Sequence, residues 1–327
     1  MGKNKKEYSS MFKKLFFKSL LMVFVLLSAV GKAEGQTKET FPFVQRDSTL
    51  YLDVFHPANP REDHAAVVSV FGGGFVMGKR DDSLQSKTAR ILSERGFVVI
   101  SIDYRLGLKD SAKVSELQGL LKIDDLFSYC VDIAVEDCAA AIAWVCAHAT
   151  ELGIDTSKII LTGNSAGAIT VLQLDYCRAN ALPPAALLPE GWKPAAVVPY
   201  AGGVVCRKRD LRYAAPPAPT LFMHGIEDKI VAYKHLGLPF SSGMNGSNNV
   251  SKQFNKQDFP HWIIRFKGIG HEVAGWFPNS AELFCCFVDQ VFAGHVSRLD
   301  AVMTDEALTP TIWTTMNMLQ MYRKVDY

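Results

Sequence analysis

The 327-residue sequence contains seven cysteines and eight histidines, yet it has no C-x-x-C pair and no clustered His/Cys set. Metal sites built from these ligands need close, regular spacing, so zinc chemistry is not indicated and no metal is expected. No G-x-G-x-x-G stands at a strand-to-helix turn, which excludes the dinucleotide fingerprint. Gly73 to Lys79 has the G-x-x-x-x-G-K spacing of a phosphate loop, but Arg80 stands where Ser or Thr would hold the metal. There is no internal repeat with a period of 20–50 residues, so a solenoid is not expected. Hydrophobic residues at 48% and charged residues at 21% exclude wholesale disorder. The length allows one large α/β domain or two small ones, with room for a substantial core.

The first 35 residues differ from the rest. Lys3, Lys5, Lys6, Lys13, Lys14 and Lys18 precede an apolar core, Leu20 to Leu27, and a small-residue zone, Ser28 to Gly35. Basic, apolar and small zones in that order describe a secretory signal peptide over residues 1–33, with cleavage after Ala33 or Gly35. The alternative is an uncleaved anchor, but the apolar run reaches only to Val30 and is too short to span a bilayer comfortably. No cysteine near the cleavage sites suggests a lipid anchor, so an exported protein, periplasmic or secreted, with no stable membrane anchor after processing is expected. Residues 1–33 carry seven lysines and one glutamate, so their removal takes the net charge from +2 to about −4. Such a mildly acidic protein has no basic stripe for nucleic acid or anionic lipid. The cysteines are read as small core residues rather than a disulfide framework, since Cys138 and Cys146 fall on the apolar stripe of a helix pattern.

Leu50 to Phe55, Ala65 to Phe71, Phe97 to Ile102, Lys158 to Thr162, Ala195 to Tyr200, Thr220 to His224 and Ile263 to Phe266 read as strands. Helix patterns lie over Ser83 to Arg95 (capped by Asp82 and stopped by Gly96), Val135 to Leu152, the stretch after Ser165, and Ser280 to Phe292. Several strands are continuously apolar, as in Val98-Val99-Ile100, which is the signature of strands covered on both faces. The expected class is therefore α/β, a mostly parallel central sheet flanked by helices on both faces, with the earliest strands as antiparallel edges. Gly107 to Phe127 and Leu182 to Lys193 do not fit a minimal version and are candidates for a small lid or plain loops. One domain over residues 34–296 and a C-terminal extension over 297–327 are expected, with Leu308-Thr309-Pro310 as a break before a last short helix.

Gly163-Asn164-Ser165-Ala166-Gly167 stands between a β-branched strand and a helix pattern, the setting a nucleophile elbow requires. A serine hydroxyl becomes a nucleophile when held at a sharp turn beside a base. His271, on the glycine-flanked loop after the last of these strands, can reach back over the strand ends to Ser165. Asp228, just past the strand Thr220 to His224, is the acid expected to orient it, with Glu227 as its rival. An acyl-transfer site also needs fixed N–H donors for a developing oxyanion. The candidates are Gly73 and Gly74 in Phe71-Gly72-Gly73-Gly74-Phe75, and Ala166 next after the serine.

With these residues assembled, the chain resembles the carboxylesterase/lipase branch of the α/β-hydrolases, in the flavour of bacterial feruloyl and acetyl-xylan esterases. Asp103-Tyr104-Arg105-Leu106 is similar to the family's D-Y-R-L stretch, and Tyr51 to Phe55 to its opening strand. The order Ser165, Asp228, His271 is that of the fold. Two departures stand out: Phe71 replaces a frequent histidine before the glycines, and Ala168 replaces a frequent glycine after the elbow. The resemblance implies an exported serine esterase without organic cofactor, acting on small-molecule or carbohydrate-linked esters. An exopeptidase of the same fold and a non-catalytic binding member are the alternatives.

Overall fold

The computed structural model describes residues 36–109, 123–206, 211–237, 243–304 and 308–324. The expected signal peptide and residues 110–122 of the first lid candidate lie outside them.

Nine strands form one sheet. In chain order they are β1 (Thr37–Gln45), β2 (Thr49–His56), β3 (Ala66–Val70), β4 (Val98–Ile102), β5 (Ile159–Asn164), β6 (Ala196–Tyr200), β8 (Thr220–Gly225), β11 (His261–Phe266) and β12 (Leu299–Met303). Across the sheet the order is β1-β2-β4-β3-β5-β6-β8-β11-β12. β1 pairs antiparallel with β2, and β2 with β4, whereas every later pairing is parallel. The α/β class with antiparallel early strands is the architecture found.

Continuous apolar strands still divide their side chains between two layers, because successive residues point to opposite faces. Val68, Val70, Ile100, Ile102 and Leu161 join a core with α2 (Ile123–Ala147) and α3 (Ala166–Ala179). Val67, Val99, Ile160 and Leu221 face the other way, toward α1 (Ser83–Ser93) and α5 (Phe277–Phe292). Each such side chain contributes about 1.5–3 kcal/mol on burial. Asp82 caps α1 as expected, accepting from the Gln85 amide at 2.8 Å.

Besides β1 and a helix over Ser247–Gln257, which the sequence reading does not contain, three features differ from it. α2 begins at Ile123, twelve residues before Val135, so the end of the first lid candidate is helix. A second sheet of β7 (Gly203–Cys206), β10 (Gly243–Gly246) and β9 (His235–Gly237) was not expected; its strands are three or four residues long and rich in glycine, which leaves no alternation to read. The third concerns the extension after Val296. β12 completes the central sheet beside β11, and the chain then returns through a turn at Ile312–Thr315 to α6 (Met318–Lys324); α4 (Ser247–Gln257) lies between β10 and β11. Among the described residues no helix is long and apolar enough to cross a membrane. All seven cysteines are free, and Cys130, Cys138, Cys177 and Cys206 are buried.

Candidate active site

β5 ends at Asn164 and α3 starts at Ala166, so Ser165 alone makes the turn between strand and helix. Its backbone stands at φ 53°, ψ −118°, a conformation that costs a non-glycine residue about 1–3 kcal/mol. The neighbours explain how the turn is held. A Cβ on Gly167 would lie 2.0 Å from the Val70 carbonyl oxygen, so only glycine lets α3 approach β3 this closely. The Ser165 amide donates to the Tyr200 carbonyl at 2.9 Å, tying the elbow to β6. On the other side Gln85 donates to Asn164 Oδ1 at 3.0 Å and accepts from the Ser69 hydroxyl at 2.7 Å.

His271 opens a 3₁₀ turn after β11, and its Nε2 lies 2.8 Å from Ser165 Oγ. Its Nδ1 lies 2.8 Å from Asp228 Oδ2. The three side chains expected from sequence thus form one chain of hydrogen bonds, and each residue is nearly inaccessible to solvent. Glu227 points out to solvent, which removes it as the rival acid. Asp228 Oδ1 accepts from the amides of Ile230 and Val231 at 2.9 and 3.0 Å. Burial pushes this carboxyl up, but His271 and His224 beside it outweigh that effect and hold it well below the usual carboxylate range. An ionised Asp228 sets His271 with Nδ1–H toward the carboxylate, leaving Nε2 free to accept the serine proton.

His224 is a functional residue not legible from sequence, where it simply ends a buried strand. Its Nε2 lies 3.3 Å from Asp228 Oδ2 and 3.0 Å from the Val231 carbonyl oxygen, and its Nδ1 lies 2.8 Å from Ser247 Oγ. The ring therefore braces the Asp228 turn from behind. A histidine four residues before the acid, inside an otherwise apolar strand, was the signal available. The other histidines lie elsewhere: His64, His148 and His261, for example, bond to the carbonyls of Gly153, Trp144 and Phe259.

The glycine turn lies against the elbow, as a Cβ on Gly72 would come 3.1 Å from Ser165 Cβ. Gly73 adopts φ 122°, and its carbonyl accepts from the Val76 and Met77 amides, so the segment folds as a tight turn rather than a phosphate loop. Gly74 and Ala166 line one cleft with Ser165. The D-Y-R-L stretch supports this turn. Tyr104 donates to the Phe71 carbonyl at 3.0 Å and stacks on the Phe71 ring at 4.4 Å between centroids. Burial raises the Tyr104 phenol far above its ordinary range, so it remains a donor. Asp103 takes Arg80 at 2.7 Å, and Arg105 takes the fully buried Asp137 at 2.8 Å. Phe71 thus has a packing role.

The cleft measures about 270 Å³ including its open mouth. Phe127, Ile169 and Val231 make its apolar side, and Met318, Met321 and Tyr322 of α6 another. Phe127 is the end of the first lid candidate; none of Leu182 to Lys193 lines the cleft, and Trp192 there donates to the Thr156 carbonyl. Among the described residues no group of three His, Cys, Asp or Glu side chains could hold a metal ion.

A mostly parallel sheet in this strand order, with the elbow after β5 and the acid and base after β8 and β11, is the α/β-hydrolase fold. Residues 28–181 match the model of the carboxylesterase family. Thermogutta terrifontis esterase 2 has the same fold, with a TM-score of 0.55 at 20% identity over 81% of this chain and 95% of that one. Lipase 2 of Moraxella sp. is 31% identical over 105 residues, 32% of this chain and 20% of its own length. Para-nitrobenzyl esterase of Bacillus subtilis is 25% identical over 130 residues, 40% of this chain and 25% of its own length. The matched stretch thus spans no more than a quarter of these two relatives.

Proposed function

We propose that this chain is an exported serine carboxylesterase that works through an acyl-enzyme on Ser165. The observation that carries the reading is the unbroken chain Ser165–His271–Asp228, with both links at 2.8 Å, at a cleft that also presents Gly74 and Ala166. Family resemblance over residues 28–181, and esterases among the relatives, support ester rather than peptide hydrolysis.

The chemistry follows from the geometry. Ser165 Oγ attacks the ester carbonyl carbon while His271 Nε2 takes its proton, and Asp228 stabilises the imidazolium that forms. The backbone N–H groups of Gly73, Gly74 and Ala166 receive the oxyanion, a contribution of about 2.7–4 kcal/mol per donor in comparable sites. The carbon–oxygen bond to the alcohol then breaks, and the alcohol leaves with the proton from His271. Water, deprotonated by the same histidine, attacks the acyl-enzyme, and the carboxylic acid is released with Ser165 restored. The chain's own groups supply every proton movement.

The basic, apolar and small-residue zones of residues 1–33 support export. An exported esterase meets extracellular or periplasmic material, which favours acyl groups on carbohydrates as substrates. The test is hydrolysis of p-nitrophenyl acetate and butyrate beside Ser165→Ala, followed by acetylated sugars. Activity that disappears in the variant is expected. Equal activity in Ser165→Ala, or none from the folded wild-type protein, overturns the reading.

A further inference from the structure

We infer that the C-terminal segment from Thr311 to Tyr322 is the specificity-determining wall of the cleft, and that it restricts the acyl group to a short aliphatic chain; this rests on the esterase reading above. Met318, Met321 and Tyr322 line the cleft together with Ser165. The wall is pinned at three places, each beside a part of the catalytic apparatus. The Tyr322 hydroxyl donates to the Gly74 carbonyl at 2.9 Å, next to the glycine turn. Glu272, the residue after His271, accepts from the Thr311 amide, the Thr311 hydroxyl and the Thr314 hydroxyl, each at 2.7 Å. Asn317 bridges to Lys229, the residue after Asp228. The fit at the base is close, since a Cβ on Gly270 would lie 2.5 Å from Thr314 Cα.

A wall held this way bounds the space rather than drifting over it. Its inner face reaches the site through methionine, an unbranched side chain that fills irregular gaps, and the Met321 methyl would lie 3.0 Å from a Cβ on Gly74. The volume of about 270 Å³ includes the open mouth, so the space between Ser165 and the pinned methionines is smaller and suits acetyl to butyryl groups rather than long chains. The acyl group is assigned to it, rather than the alcohol, for a chemical reason. The acyl group stays bonded to Ser165 while the alcohol must depart through the mouth, so a recess with apolar walls suits the part that remains. Large alcohols, including sugars, then stay outside the wall.

The test is a series of p-nitrophenyl acetate, butyrate and octanoate, with acetate esters of short and long alcohols as a second series. Met321→Ala, and independently Met318→Ala, is expected to raise the octanoate-to-acetate ratio of kcat/KM about tenfold or more, the discrimination that a methylene or two of space supplies. Met321→Phe is expected to lower the butyrate-to-acetate ratio by about the same factor. The alcohol series is expected to keep its ratios in all three. In parallel, ¹³C-methyl methionine spectra of the wild-type protein are recorded as sodium butyrate is added, with shifts expected at Met318 and Met321. Acyl ratios unchanged in all three variants overturn the wall, as does a change confined to the alcohol series. If the wild-type protein hydrolyses none of the esters, methionine shifts uphold the wall while the esterase reading falls. Absence of both hydrolysis and shifts overturns the wall as well.

Discussion

The elbow and the C-terminal wall meet across the same few ångströms, yet they are held by different means. At the elbow the constraints are backbone against backbone. The space beside Gly167 is closed by the Val70 carbonyl, and Ser165 is tied through its own amide to Tyr200. At the wall most are side chains, a tyrosine hydroxyl, two threonine hydroxyls on one carboxylate and two methionines, beside a single backbone bridge from Asn317 to Lys229 and the close approach of Gly270 to Thr314. Backbone contacts have no slack, because moving them shifts a strand or helix, whereas side chains change rotamer at small cost. The lesson is a division of labour in which chemistry rests on the rigid side and substrate range on the adjustable one. Substitutions on the first side should therefore cost far more than substitutions on the second.

The largest effect is expected from Asp228→Asn, which keeps the shape but turns His271 toward the wrong tautomer; kcat should fall about 10⁴-fold with an unchanged far-UV spectrum. Gly167→Ala comes next. The added methyl meets a carbonyl that cannot move, and a loss of about 3 kcal/mol or more in urea unfolding is expected. His224→Phe removes the brace behind Asp228 but leaves the two amides that Asp228 Oδ1 accepts. A fall of about tenfold in kcat with little change in KM is expected. A rise in KM larger than the fall in kcat would assign the ring to substrate binding instead.

Glu272→Gln, on the adjustable side, sharpens the comparison. It weakens the bonds to Thr311 and Thr314, and about 1 kcal/mol of local stability should be lost, read as faster amide exchange over 311–322 with kcat for acetate within about threefold. Loss of activity comparable to that in Asp228→Asn would break the division outright.

Acid should expose the same contrast. Asp228 is held below its ordinary range despite burial, so it stabilises the folded state above the unfolded-chain value of about 3.9, and that contribution declines as pH falls below it. Burial raises the Glu272 carboxyl too, but the threonine bonds outweigh burial and give the same sign over the same region. The urea midpoint is expected to drop on acidification, and the drop to be shallower in Asp228→Asn.

Much of the molecule was legible in the sequence because its signals are local. Continuous apolar runs marked the buried strands, Asp82 and Gly96 marked the ends of α1, and a glycine-flanked serine behind a β-branched run marked the elbow. Even the partners of Ser165 were legible, since chain order in this fold places an acid and a histidine after particular strands. What stayed hidden depends on contacts distant in sequence. The small sheet has strands too short to alternate, β12 is a five-residue edge strand whose apolar residues stay largely exposed, and His224 looks like any histidine inside a strand.

By itself the sequence determined the α/β class, the position of the elbow and the residues that stand with it, because hydrophobic period, caps and turn glycines act through neighbours along the chain. Only the tertiary structure decided that His224 stands behind Asp228 and that residues after Leu308 close the cleft. Gly74 and Tyr322 are 248 positions apart, and no local preference of either residue encodes the bond between them. That bond exists because the completed sheet sets the glycine turn and the returning chain side by side.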